Sequence, residues 1–156
     1  MITFVVPGKP QGKGRARAFV RAGHVGHYTP EKTRSYEGLI RAYALQEMRG
    51  RKPTEKPVRA EIFVAFGVPD SWPTWKRLAA MNDEISATVK PDADNVAKAV
   101  KDALNGLCWI DDCQVVSLSV HKYYSKDPQV TVVITELHSM PAKTKSEKKF
   151  KGGKSE

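Results

Sequence analysis

Between Lys90 and Asp112 the chain sets Asp92 and Asp94 one residue apart, Lys98 four residues after Asp94, and an adjacent acidic pair at Asp111-Asp112. Two carboxylates at a helix mouth can converge on one point. In a chain of net charge +9, an acidic cluster also repels itself unless something positive sits among it. A divalent cation meets that need, because Mg²⁺ takes oxygen ligands, keeps several waters and asks for few carboxylates. Such an ion polarises a phosphoryl oxygen and helps generate hydroxide from bound water. Lys98 would then stabilise charge developing on phosphorus or assist the nucleophile. Spacing alone leaves a blander alternative open: Asp94 as an N-cap, Asp111-Asp112 as a turn, and Lys98 paired with Asp94 or Asp102.

These residues need elements to hold them. Apolar residues at 96, 99, 100, 103, 104 and 107 mark one helix face, predicting a helix from Asp94 to Leu104 closed by Asn105-Gly106. At about 100° per residue, Asn95, Lys98 and Asp102 share a neighbouring stripe. Upstream, Ile2 to Val6 reads as a strand, Gly8 to Arg15 as a loop, and Ala18 to Tyr28 as a hairpin turning near Gly23. Thr29-Pro30-Glu31 starts a helix, with Thr as cap, that runs to about Met48 and stops at Gly50. Its buried side is expected to hold Tyr36, Leu39, Ile40, Tyr43 and Leu45. Beyond an Arg51 to Pro57 connector come a strand at Val58 to Val68, a short helix from Asp70 to Met81, and an irregular stretch to Lys90. Two more strands, Val115 to Tyr124 and Val130 to Leu137, meet at Lys126-Asp127-Pro128. Without regular βαβ alternation the class is α+β: one domain, residues 1–138, with a small mixed sheet packed against helices. Residues 139–156 form a lysine-rich tail expected to be disordered.

Charge narrows the partners. Lysine and arginine number 26 against 17 acids, and removing the six lysines and two glutamates of the last sixteen residues still leaves 20 against 15. Residues 1 to 30 contain Lys9, Lys13, Arg15, Arg17 and Arg21 and no acid, a concentration that attracts polyanions. No apolar run approaches the roughly 18 residues of a membrane span. The opening residues lack a basic n-region, which argues against a signal peptide. With only Cys108 and Cys113 there is no disulfide framework, and a cytoplasmic location is expected.

The run Lys90-Pro91-Asp92-Ala93-Asp94-Asn95 with Lys98, then Asp102-Ala103-Leu104-Asn105-Gly106 and Trp109-Ile110-Asp111-Asp112-Cys113-Gln114-Val115, resembles the RusA family of Holliday-junction resolvases. The opening Pro7-Gly8-Lys9-Pro10-Gln11-Gly12-Lys13-Gly14-Arg15-Ala16-Arg17 and Tyr28-Thr29-Pro30 are similar to its phage-type members, and the match spans roughly residues 2 to 137. The resemblance implies a homodimeric, Mg²⁺-dependent endonuclease of DNA recombination and repair that cuts four-way junctions by paired symmetric nicks. It assigns Asp92, Asp94 and Asp112 as essential acids and metal ligands and Lys98 as the essential lysine. Asp111 is a supporting acid or alternative ligand, and Asn95 orients the site. A two-fold dimer suits a junction with approximate two-fold symmetry. Backbone contacts fall to Lys9, Lys13, Arg15, Arg17 and Arg21, with Lys90, Asn95 and Lys101 beside the acids. Two other readings stay open: a non-catalytic module for branched DNA, and a metal nuclease acting on other branched substrates.

Other signals carry less. The Gly8 to Gly14 loop has three residues between glycines and no Ser or Thr after its lysine, so it does not match a nucleotide P-loop, and no nucleotide cofactor is expected. His24 and His27 have no ligand-type neighbours, and two cysteines do not make a closed zinc site. Trp109 reads as core. Trp72 and Trp75 read as helix packing, with base stacking as the alternative.

Overall fold

The computed structural model describes residues 1–28 and 30–138, so the expectations for Thr29 and for the tail at 139–156 lie outside the described residues. In chain order the elements are β1 (Ile2–Pro7), β2 (Arg17–Arg21), β3 (His24–Tyr28), α1 (Glu31–Met48), β4 (Val58–Gly67), α2 (Thr74–Met81), α3 (Ala93–Leu104), a 3-10 turn (Asp112–Gln114), β5 (Val115–Ser125) and β6 (Gln129–Glu136). Alternation makes the sheet: β1 buries Phe4 and Val6, β4 buries Val58, Ala60, Ile62, Val64 and Phe66, and β6 buries Val130, Val132 and Ile134. That period of two is what a sheet with one face on a core requires. The strand order is β1-β6-β4-β5, with β4 parallel to β5 and antiparallel to β6, and β6 antiparallel to β1. The fold is therefore α+β with a mixed sheet. Although β5 and β6 meet at Lys126–Pro128, they are not neighbours, because β4 lies between them.

Helices α1 and α3 pack on each other and on the covered face, α1 over β1 and α3 towards β5. Helix α3 buries Val96, Ala97, Ala99, Val100, Ala103 and Leu104, the stripe its periodicity predicts. Helix α1 buries Thr33, Tyr36, Ile40, Ala44 and Met48. Leu39 and Leu45, expected on that stripe, are instead 40% and 57% exposed. The buried series steps by four from Tyr36 to Met48, and each of the two leucines sits about 100° off it. Small Ala44 takes the position where bulk was expected. The core side chains buried almost completely include Trp109, Ile40, Met48, Ile62 and Leu104, each contributing about 2 kcal/mol relative to its exposed state.

The hairpin stands apart. Strands β2 and β3 pair only with each other, and Arg21 faces His24 across a two-residue turn. Ala22 and Gly23 both have positive φ, 52° and 79°, the twist a two-residue hairpin turn demands. Nearly every residue of the two strands is exposed.

Candidate active site

Asp92 is the N-cap of α3 and Asp94 lies in its first turn, yet Asp92 makes no side-chain capping hydrogen bond. Both residues are exposed. Asp94 is therefore not the N-cap that the blander reading made it, although Asp111-Asp112 does lie in a turn as that reading has it. The partial positive charge of the helix N-terminus favours acids here and leaves their oxygens available. Lys98 is exposed one turn further along. Among the described residues it forms no ion pair, whereas Asp102 is taken by Lys13. A cleft of about 510 Å³ opens beside this helix mouth, lined by Gly12, Lys13, Arg15, Lys90, Pro91, Asp92 and Asn95. It brings together the basic loop and the start of the acidic segment, which are nearly 80 residues apart in sequence.

Gly12 and Gly14 of that loop are required by close approach. A Cβ on Gly12 would lie 2.8 Å from Pro91 Cβ and 2.9 Å from Asn95 Cβ. The Lys13 backbone N–H donates to Asn95 O at 2.9 Å, and the Gly14 N–H donates to Oγ1 of buried Thr33 at 2.9 Å. These N–H groups are spent on protein acceptors, not turned outward as in a phosphate cradle. Lys13, counted from sequence among the phosphate contacts, is held by acids: Nζ donates to Asp102 Oδ2 at 2.5 Å and lies 2.9 Å from Glu37 Oε1. The Glu37 contact is a charge contact without hydrogen-bond alignment. Burial works to lower the Lys13 pKa, but Asp102 and Glu37 together outweigh it and hold the ammonium above its usual value. Beneath the loop, burial pushes the Tyr36 hydroxyl up to about 12 against an opposing contact with the Gln11 backbone.

The second acidic pair is built differently. Asp111 caps the 3-10 turn in a capping box with Gln114. The Gln114 amide also donates to Thr54 O and Lys56 O, at 2.8 and 2.9 Å. Asp112 accepts from the indole N–H of Trp109 at 2.9 Å, and Trp109 is fully buried. The spacing W-x-D-D-x-Q thus has a physical meaning: the core tryptophan aims Asp112, while Asp111 and Gln114 tie the turn to the connector before β4. Asp111 is occupied structurally, which leaves Asp112 as the better candidate for chemistry.

One chain does not gather all three expected ligands. Among the described residues no three His, Cys, Asp or Glu side chains form a group that could hold a metal ion. The topology explains why. Helix α3 has 12 residues, about 18 Å of rise. Asp92 lies at its start, beside the loop whose Gly8 N–H donates to Pro128 O near the end of β4. Asp112 lies past its other end, where Trp109 bridges to Thr54 ahead of β4. The Asp92–Asp94 pair by itself suits a hard cation that completes its shell with water and phosphate oxygens; it is not an all-protein cage.

Of the other expected contacts, Lys9, Arg15, Arg17, Arg21 and Lys90 are exposed, while Asn95 and Lys101 are half-buried. Trp72 packs edge-on against Tyr124 at 5.4 Å, and Trp75 is 70% exposed. Sequence reasoning missed Thr33 and Glu37 altogether, and Arg41, which donates to Ala103 O at 3.1 Å at the end of α3; Gln114 stood in the W-x-D-D-x-Q run without a role. Nothing in local pattern signals Thr33, Glu37 or Arg41, whose partners come from distant segments, whereas Asp111-x-x-Gln114 has the spacing of a capping box.

An α+β fold with an uncapped acidic helix mouth beside a basic loop is the make-up of a protein that handles a phosphate backbone. The family model for endodeoxyribonuclease RusA matches residues 7–135, and the chain belongs to this family of nucleases. It is also similar to the uncharacterized protein YqaN of Bacillus subtilis (strain 168), 37% identical over 138 residues covering 87% of this chain and 96% of that protein. No helix among the described residues is long and apolar enough to cross a membrane.

Proposed function

We propose that this chain is a Mg²⁺-dependent crossover-junction endodeoxyribonuclease, nicking four-way DNA junctions in recombination and repair as a homodimer. The observation that carries the reading is the pair of exposed carboxylates at the mouth of α3, Asp92 making no capping bond and lining a cleft with Arg15 and Lys90. Asp92 and Asp94 would hold the metal with Asp112. The bound ion supplies a polarised phosphoryl oxygen and a water of lowered pKa. Lys98, on α3 one turn after Asp94, offsets charge that develops on the phosphate. Lys9, Arg15, Arg17, Arg21, Lys90 and Lys101 take backbone phosphates without reading bases, and Asn95 holds the loop through its carbonyl.

The separation of Asp112 from Asp92 supports the dimer. β5 is an edge strand, and Cys113 to His121 carries no formal charge in a chain where 28% of residues do. Val116 and Leu118 are 62% and 43% exposed along it. A long uncharged edge invites pairing, and it is where two strongly positive chains can approach. Antiparallel pairing of two β5 edges about their middle carries Asp112 of a second copy to the end where Lys122 donates to Val89 O at 2.6 Å. That end lies next to Lys90 and Asp92.

The test is cleavage of a synthetic four-way junction beside a matched duplex, with Mg²⁺ and with EDTA. Paired nicks on the junction alone, abolished by EDTA and by Asp94→Asn while junction binding persists, are expected. Tight binding by the wild-type chain with no metal-dependent cut would make it a binding module and the acids scaffold. Preferential cutting of flaps would change the substrate assigned.

A further inference from the structure

The loop from Gly8 to Arg15 is fastened to both helices at its centre. Gly12 lies flat on Pro91 and Asn95 with no room for a side chain. The next two N–H groups bond to Asn95 on α3 and Thr33 on α1. Between them, the Lys13 side chain, 22% exposed, bridges Asp102 on α3 and Glu37 on α1. Asp102 is 89 residues away in sequence, and Glu37 has no other partner among the described residues. A lysine placed for phosphate would reach into solvent; this one is spent inward. Arg15, two residues on, lines the cleft with Lys90 and Asp92.

We infer that Lys13 is a positioning residue rather than a DNA contact: with Asp102 and Glu37 it clamps the basic loop onto α1 and α3, holding Arg15 in the cleft it lines with Asp92. The inference rests on the nuclease reading for its effect on rate, but the clamp is observable without it. Two carboxylates from the packed helices α1 and α3 converge on the one ammonium. Removing the ammonium leaves like charges facing each other and frees the loop. Replacing Asp102 with Asn loosens the same clamp from the other side and lowers the rate, whereas for a Lys13 that contacts phosphate it would free the ammonium and tighten binding. The two roles therefore predict opposite results for one substitution.

The experiment compares full-length wild type, Lys13→Met, Lys13→Arg, Asp102→Asn, Glu37→Gln and the double variant Lys13→Met/Asp102→Asn. Amide hydrogen exchange at Lys13 and Gly14, junction affinity across a salt series, and nicking rate at saturating junction are measured. The clamp predicts protected amides in wild type and lost protection in Lys13→Met and Asp102→Asn, with partial restoration in Lys13→Arg. It further predicts a nicking rate down about tenfold or more with affinity within about twofold, and a double variant no worse than either single, as coupled residues behave. The opposite pattern would overturn it: Lys13→Met lowering the salt slope by about one unit, as loss of a phosphate contact does, or Asp102→Asn tightening junction binding. Unchanged amide protection in both single variants would also overturn it. If Lys13→Met does not fold, Glu37→Gln carries the same exchange test. A wild-type chain that cuts no junction fails the nuclease reading alone, and amide protection and the double variant still decide the clamp.

Discussion

Replacing Trp109 with Phe separates what supports the site from what does its chemistry. The indole N–H holds Asp112 at 2.9 Å and the ring is completely buried. Losing one hydrogen bond to a half-exposed carboxylate costs about 1 kcal/mol. Trimming a buried ring system and leaving a gap adds about 1–2 kcal/mol. The expected loss is therefore about 2–3 kcal/mol, or about 6–9 °C in Tm at about 3 °C per kcal/mol for a chain of this size. Asp112→Asn is the control: it keeps an oxygen for the indole and almost the same volume, so stability should stay within about 0.5 kcal/mol. Its nicking of a four-way junction should fall by about a hundredfold or more, because a carboxylate ligand and its charge are gone. Urea unfolding followed by far-UV circular dichroism gives both stabilities at a common slope. A Trp109→Phe loss under about 0.5 kcal/mol would mean the indole anchors nothing. Asp112→Asn as unstable as Trp109→Phe would make the Asp112 charge part of the fold instead of the reaction.

Two further outcomes are expected. Mixing Asp94→Asn with Asp112→Asn chains under subunit exchange makes about half of the dimers mixed, each with one intact site, so nicking should recover to about a quarter of the wild-type level; two inactive proteins that stay inactive when mixed, with exchange demonstrated, would refute a site shared between copies. A thiol reagent at pH 8 should modify one cysteine quickly, the exposed Cys113, because burial pushes the Cys108 thiol up to about 11 against the lowering effect of Arg41 and Arg51; two fast thiols in the folded protein would contradict that packing.

Much of the fold was legible because strands and helices announce themselves by period. The alternation in β1, β4 and β6 and the apolar stripe of α3 placed those elements within a residue or two of where they lie. Pairing was less legible: sequence adjacency puts β5 beside β6, yet β4 takes the position between them. In α1, residue hydrophobicity pointed to Leu39 and Leu45, whereas the buried side takes small Ala44 and Thr33, the latter under the Gly14 N–H. The site divides along the same line. Asp92, Asp94 and Lys98 belong to one short segment, and helical geometry alone relates them. Lys13 read as a phosphate contact because its acid partners lie 24 and 89 residues away, where no local pattern reaches. Asp112 read as returning to Asp92 because the length of α3, which sets the distance between them, becomes an obstacle only once the helix direction is known.

That length bears on specificity. Net charge +9 and a basic loop give this chain affinity for any DNA, since counterion release rewards phosphate contacts whatever the sequence or shape. Charge alone therefore does not discriminate one DNA shape from another. The 12-residue helix that separates Asp92 from the turn bearing Asp112 leaves each chain with an incomplete acid set. If the set is completed across a two-fold axis, a lone chain on duplex DNA has no full site, and a dimer has two in fixed relation. Both sites can be filled only by a substrate that offers two strands related by the same symmetry. On this reasoning the safeguard against nicking ordinary duplex is the distance along α3, and a change that let one chain assemble all three acids would loosen substrate choice before it changed affinity.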